Sequence, residues 1–183
     1  MKPAIGLIEL SSIARGILVS DDMLKKAPVE LLLSKTISPG KYMVLISGDV
    51  ASVDESLKVG LQTAEPYLVD TLFIPQVHTE ILPGIKQNFR KQTIDSLGIV
   101  ETQSVASTIV SLDQALKASD VHLVELKLGT GIGGKGYFVL TGDLSEVEAA
   151  ILATKKVLEE GNKLLQTEII PRPHEELIIR GSL

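Results

Sequence analysis

Apolar residues in this chain follow two alternating rhythms: short unbroken runs, and stretches in which they recur every three or four positions. The first is the pattern of a buried strand and the second that of one face of a helix. Pro3 to Leu10 predicts a strand, and Ser11 to Lys26 a helix with Ser11 or Ser12 as N-cap and Ile13, Ile17, Met23 and Leu24 as buried positions. Val29 to Thr36 and Tyr42 to Ser47 predict two strands around the turn Ser38-Pro39-Gly40, because proline fixes φ and glycine accepts a positive one. Asp49 is placed to cap a helix running to about Glu65, with Val53, Leu57, Leu61 and Ala64 on one face. Val69 to Ile74 then returns as a strand that Pro75 ends.

The same pattern then begins again. Ile5-Gly6-Leu7-Ile8-Glu9 reappears 92 residues on as Leu97-Gly98-Ile99-Val100-Glu101, and the same spacing carries Ser12-Ile13-Ala14 onto Ser104-Val105-Ala106 and Asp21 with Leu24-Lys25 onto Asp113 with Leu116-Lys117. Gly40-Lys41 and Gly48-Asp49 match Gly134-Lys135 and Gly142-Asp143 at a spacing of 94, and Ile74-Pro75-x-x-His78 matches Ile170-Pro171-x-x-His174 at 96. A repeat kept in this order marks a duplicated unit. The second copy predicts elements at Ser96 to Glu101, Val105 to Lys117, Val121 to Leu128, Gly136 to Thr141, Val147 to Glu160 and Leu165 to Ile170. The order βαββαβ predicts an α/β (α+β) protein of two tandem split-βαβ, ferredoxin-like domains, each an antiparallel sheet with helices packed on it. The polar stretch Asn88 to Asp95 places the boundary at about residue 91, giving domains 1–91 and 92–183.

Composition narrows the function classes. The 183 residues carry a net charge of −5, are 44% hydrophobic, and contain 3% aromatic residues and no Trp. That argues against a nucleic-acid surface, which needs a basic footprint and stacking rings. No apolar run reaches the roughly 18 residues of a membrane span, and Met1-Lys2-Pro3-Ala4 does not open the apolar core of a signal peptide; the expectation is a cytoplasmic protein with no membrane partner. With no Cys, the chain has no thiol nucleophile, disulfide or thiolate ligand to offer a metal.

The copies differ most in the turn between their middle strands, Thr36 to Lys41 in the first and Leu128 to Lys135 in the second. Gly129, Gly131 and Gly134 spell the spacing of a dinucleotide-binding turn, but that motif needs a helix to follow, and here a strand is predicted. A flexible turn is the better reading. Glu9 and Glu101 occupy equivalent strand ends, as His78 and His174 occupy equivalent positions after the last strand, while His122 answers to Glu30. Acid–base catalysis needs a partner group within bonding reach. No spacing here assembles a triad, a metal site or a carboxylate pair, so structural roles are expected, and no enzyme.

Ala4 to Leu10, Ser34 to Ile37, Gly98 to Thr102, Gly131 to Lys135 and, most specifically, Ile169-Ile170-Pro171-Arg172-Pro173-His174-Glu175 resemble the tandem-domain shell proteins of bacterial microcompartments, of the propanediol-utilisation type. The resemblance covers Ala4 to about Ile179. It implies three chains forming a pseudohexagonal tile with a central pore, as a closed ring of a fused pair would, and tiles packing edge to edge with other shell proteins around encapsulated enzymes. It implies that Ser38, Pro39 and Gly40, with Gly131, Ile132, Gly133 and Gly134 of the larger Gly129 to Gly134 turn, line the opening for small solutes. It also implies that Lys25, Lys117, Arg172, His174 and His78 carry contacts between tiles. Relatives place a Cys where this chain has Ser38 and bind an iron–sulfur cluster with three copies of it; a hydroxyl is no thiolate, so neither cofactor nor electron relay is expected here. The alternative to a tile is a small-molecule-sensing α/β module, since this fold serves several roles.

Overall fold

The computed structural model describes residues 3–159 and 161–179. In the first repeat, β1 (Ala4–Leu10), α1 (Ile13–Lys26), β2 (Glu30–Ile37), β3 (Lys41–Gly48), α2 (Val50–Ala64) and β4 (Leu68–Ile74) follow in the predicted order. A short helix, α3 (Ile81–Ile85), precedes the second repeat: β5 (Ser96–Thr102), α4 (Val105–Ala118), β6 (His122–Leu128), β7 (Gly136–Gly142), α5 (Leu144–Glu159) and β8 (Leu164–Ile170). Another short helix, α6 (Glu175–Ile179), follows it. The two five-residue helices were not expected, because a single turn and a half is too short to register as a period of 3.6. Helix α5 starts at Leu144, ahead of the expected Val147, and the expected end at Glu160 lies outside the described residues.

Each repeat builds one four-stranded sheet, ordered β2-β3-β1-β4 in the first and β6-β7-β5-β8 in the second, with every neighbouring pair antiparallel. Even the irregularities recur. The β1–β4 ladder slips between Glu9 and Leu10 and the β5–β8 ladder between Glu101 and Thr102, while β2 slips between Leu31 and Leu33 and β6 between Leu123 and Glu125. A bulge re-aims the side chains after it, so its retention keeps both strand ends pointing alike.

The strands β1 and β3 are buried along nearly their whole length, as central strands under helices should be. In the first repeat Ile8, Val19, Met23, Val44, Ile46 and Val53 share one apolar cluster. Full burial of a side chain such as Met23 contributes about 1.5–3 kcal/mol. Helix α2 buries Val53, Leu57 and Ala64 with Leu61 at the margin of the cluster, as its spacing predicts.

Helix α1 departs from expectation. Met23 is buried, but Ile13, Ile17 and Leu24 are exposed, and the stripe against the sheet is Gly16, Val19, Ser20 and Met23. These positions are spaced i, i+3, i+4 and i+7, a proper helix face, but Gly and Ser carry no hydrophobic signal. The larger apolar residues Ile13, Ile17 and Leu24 line the adjoining, exposed flank of the helix, so apolar spacing alone points to the wrong stripe.

Caps follow the sequence. Ser12 Oγ accepts the Arg15 N–H (3.3 Å) at α1, and Asp49 Oδ1 accepts the Ser52 N–H (3.0 Å) at α2; bonding to Ser52 holds the Asp49 carboxyl below its ordinary value. Ser104 and Ser107 bond reciprocally at the start of α4, a capping box of the kind that stabilises by about 1 kcal/mol.

The described residues form two compact units: residues 3–77 together with Gly129–Gly134, and His78–Leu128 together with the described residues after Gly134. The expected boundary near residue 91 falls within the stretch that joins the second unit.

Candidate functional site

The first unit brings the two unlike turns together. Ser38 N–H donates to Gly129 O (3.1 Å), and Gly131 N–H donates to Ser38 Oγ (3.2 Å). Gly134 is buried with φ of +79°, and a Cβ there would sit 2.2 Å from Ser38 O. Only glycine meets both demands, a left-handed backbone and a carbonyl at touching distance. Pro39, Gly40, Gly131 and Gly133 are exposed, and Ser38 and Ile132 are half-buried. The exposed tips of the two turns, from Pro39 to Gly40 and from Thr130 to Gly133, are therefore uncharged: backbone, a proline ring and the Thr130 side chain. The strand β7 follows the glycine turn, where the dinucleotide motif requires a helix, so that reading has no support.

Behind these turns each unit repeats one ion pair. Lys41, the first residue after the Pro39-Gly40 tip, donates to Glu9 Oε2 (3.2 Å), and Lys135 donates to Glu101 Oε1 (2.7 Å). In the first pair Glu9 is fully buried and Lys41 half-buried, while the second pair is half-exposed. Lys41 Nζ also reaches Gly134 O (3.5 Å), so the cation holds a carboxylate and the glycine turn at once. Sequence reading singled out both glutamates as strand-end carboxylates but missed their lysines, although the Gly-Lys pair repeats.

The edge candidates divide into two environments. Lys25 pairs with Asp21 and Lys117 with Asp113, each one turn apart in the last turns of α1 and α4, with the acid N-terminal to the base as a helix prefers. The Asp21 partner raises the Lys25 ammonium above its ordinary value. Asp113 is buried and also accepts the His78 backbone N–H (2.8 Å), whereas Asp21 is exposed. Arg172 is exposed with φ of +54°. His174 is exposed, and its Nδ1 accepts the Glu176 N–H (3.2 Å); the half-buried His78 does the same for Glu80 (3.4 Å).

The segment after His78 then covers the outer edge of β6. Glu80 accepts the Leu123 N–H at Oε2 (2.7 Å) and meets His122 Nδ1 at Oε1 (2.8 Å). Gln87 donates to Leu126 O (3.1 Å) and Gln92 to Leu123 O (3.4 Å). Edge strands expose unpaired backbone groups, and here side chains satisfy them. Beside Glu80 lies an open cavity of about 160 Å³ lined by Thr79, Pro83, Asn88, Phe89, Arg90 and Leu123. This covering segment escaped sequence reading, since isolated Glu and Gln residues in a polar stretch carry no pattern. The signal available was the recurrence of Glu80 as Glu176, 96 residues on.

Comparison with known proteins bears on this duplicated arrangement directly. The BMC domain matches twice, at residues 4–77 and 96–173. The chain belongs to the BMC-domain family. It is 44% identical over 177 residues to the bacterial microcompartment shell protein PduT of Citrobacter freundii, covering 97% of this chain and 96% of that protein. It is 27% identical over 188 residues to the carboxysome assembly protein CcmO of Synechococcus elongatus, covering 96% of this chain and 67% of that one. Among solved structures, a microcompartment protein from Desulfitobacterium hafniense superposes with a TM-score of 0.90 at 44% identity, covering 98% and 99% of the two chains. The fused permuted hexameric shell protein MSM0275 shares the fold, with a TM-score of 0.66 at 20% identity, covering 86% and 84%.

Both BMC domains thus carry the four-stranded antiparallel sheet and paired helices expected from the repeat. An iron–sulfur cluster held by three copies of one side chain needs a thiolate at position 38, where this chain has Ser38. No residue is a Cys, and the hydroxyl at position 38 already accepts the Gly131 N–H of the facing glycine turn. Among the described residues no group of three His, Cys, Asp or Glu is placed to hold a metal ion, and no helix is long and apolar enough to cross a membrane.

Proposed function

We propose that this protein is a structural tile of a bacterial microcompartment shell: three chains close into a pseudohexameric ring whose axis is a pore for small solutes. The observation that carries this reading is the tandem BMC match together with 44% identity to a named shell protein over nearly the whole chain. Two similar units per chain make six similar units in three chains, and closed cyclic symmetry leaves no flank of any of them unmatched. The turn that pairs Ser38 with Gly129 and Gly131 forms the pore rim, presenting uncharged backbone dipoles that suit small neutral or anionic solutes. The partners are the chain itself, neighbouring shell proteins met through Lys25, Arg172 and His174, and enclosed enzymes; the site of action is the shell.

No catalytic role is assigned. Glu9 and Glu101, the carboxylates at equivalent strand ends, each hold a lysine, which supports a structural purpose.

Sedimentation of the purified chain tests the reading: a trimer is expected, and a monomer at every concentration overturns it. For the pore, Pro39→Trp at the exposed tip is expected to slow solute passage through assembled shells. Unchanged flux removes that turn from the rim.

A further inference from the structure

The two repeats differ in what covers them. Leu123 and Asp113 are 2% exposed, while their counterparts Leu31 and Asp21 are 38% and 51% exposed. The cover over the second pair is the chain's own segment His78–Ile85. His78 N–H reaches Asp113, Glu80 reaches the Leu123 N–H, and a Cβ on Gly84 would come within 2.4 Å of Leu123. The first repeat leaves the matching surface uncovered among the described residues: Ile17 and Leu24 extend the same exposed apolar face. Their counterparts Ile109 and Leu116 are buried.

The missing cover exists in the chain as the repeat of His78–Ile85. The segment from His174 folds with the same local bonds: the Glu176 N–H on His174 Nδ1 answers to the Glu80 N–H on His78 Nδ1, and the Leu177 N–H on His174 O answers to the Ile81 N–H on His78 O. Yet Leu177 is 39% exposed, whereas Ile81 is fully buried. A preformed plug without a socket and a socket without a plug, related by the same repeat, belong together.

We infer that the segment from His174 to Leu177 of one copy seats on α1 and β2 of a second copy. Its His174 N–H reaches Asp21, its Glu176 carboxylate reaches the Leu31 N–H, and its Leu177 fills the place that Ile81 fills within the chain. This rests on the ring reading above and adds which surface closes the ring. It also makes the two kinds of joint unequal. Inside the chain the outer oxygen of Glu80 meets His122, but the counterpart of His122 is Glu30. Between copies, therefore, Glu176 meets a carboxylate where Glu80 meets an imidazole. Like charges across an interface weaken it and opposite ones steer it together.

The test is sedimentation of the full chain through a dilution series, with subdenaturing urea where needed to bring dissociation into range. Glu30→His restores the residue found inside the chain and is expected to lower the midpoint concentration for dissociation about tenfold. Leu177→Asp is expected to abolish the trimer while leaving the thermal melt of the monomer unchanged, since Leu177 lies at the surface of the lone chain. A trimer indifferent to both substitutions overturns this inference and leaves the ring reading standing. Absence of any trimer in the unaltered chain overturns both.

Discussion

The two units share a ladder register, bulges and caps, but they solve the contact between their first helix and their third-position strand in opposite ways. In the first, helix α1 offers Gly16 to the ring of Tyr42, and a Cβ on Gly16 would fall 2.3 Å from Tyr42 Cδ1. In the second, α4 offers Thr108 to Gly136, and a Cβ on Gly136 would fall 1.9 Å from Thr108 Oγ1. Bulk has moved from strand to helix while the space is conserved, which is how close-packed interiors tolerate change. The polar bookkeeping moved with it. Tyr42 Oη bonds Ser34 Oγ (2.8 Å), which bonds Ser20 Oγ (2.8 Å); the counterparts of Ser20 and Ser34 are Leu112 and Leu126, and Thr108 instead bonds Thr102 (2.7 Å). The lesson is that a duplicated fold constrains pair volumes and satisfied hydroxyls, and leaves the identity of each residue open.

The largest break in this comparison is expected at the repeated ion pair. Lys41→Met removes the cation beside the fully buried Glu9 and is expected to cost about 3 kcal/mol. Lys135→Met at the half-exposed pair is expected to cost less than about 1 kcal/mol. Urea unfolding of both variants measures the gap, and equal losses remove the distinction between the two sites.

Next comes the size exchange. Gly136→Ala is expected to destabilise by about 1–3 kcal/mol by overpacking against Thr108. Adding Thr108→Gly is expected to make the double variant more stable than the sum of the single losses, a coupling that a thermodynamic cycle reads directly. Additive losses show that the two side chains do not compete for one space.

The smallest effect lies in the titration of Tyr137, which with Glu125 replaces the apolar Met43 and Leu33 of the first unit. Burial, and then the bond to Glu125 (2.6 Å), push its phenol up to about 12. The folded state therefore keeps this proton where the unfolded chain, with an ordinary value near 10, gives it up. Stability from this group is present below about pH 10 and is lost as the pH rises toward 12. Tyr137→Phe is expected to flatten that alkaline loss, read as the urea midpoint at about pH 9 and pH 11.

Much of this architecture was legible in the residues. The repeat and its two rhythms predicted the element order, because strand and helix periods are written into which positions are apolar. What escaped has a common cause. Periodicity reports that a face is apolar and not what the face meets, so Ile13, Ile17 and Leu24 were read as core although α1 turns Gly16, Val19 and Ser20 to the sheet. The candidate turns were found because glycine and proline mark turns, yet the bonds joining Ser38 to Gly129 and Gly131 link residues about half a chain apart, and no local pattern encodes them. Likewise Lys41 and Glu80 act through contacts to residues far along the chain, which leave no period to detect.

The buried fit of Gly134 under the Ser38 carbonyl divides the glycine turn into a part that can be rewritten and a part that cannot. A Cβ at Gly131 or Gly133 would meet no atom within 4 Å, so a dye attachment point or peptide graft introduced between them is expected to leave both hairpins intact, provided the flanking glycines keep their φ. A graft three atoms further along the backbone, at Gly134, has nowhere to go.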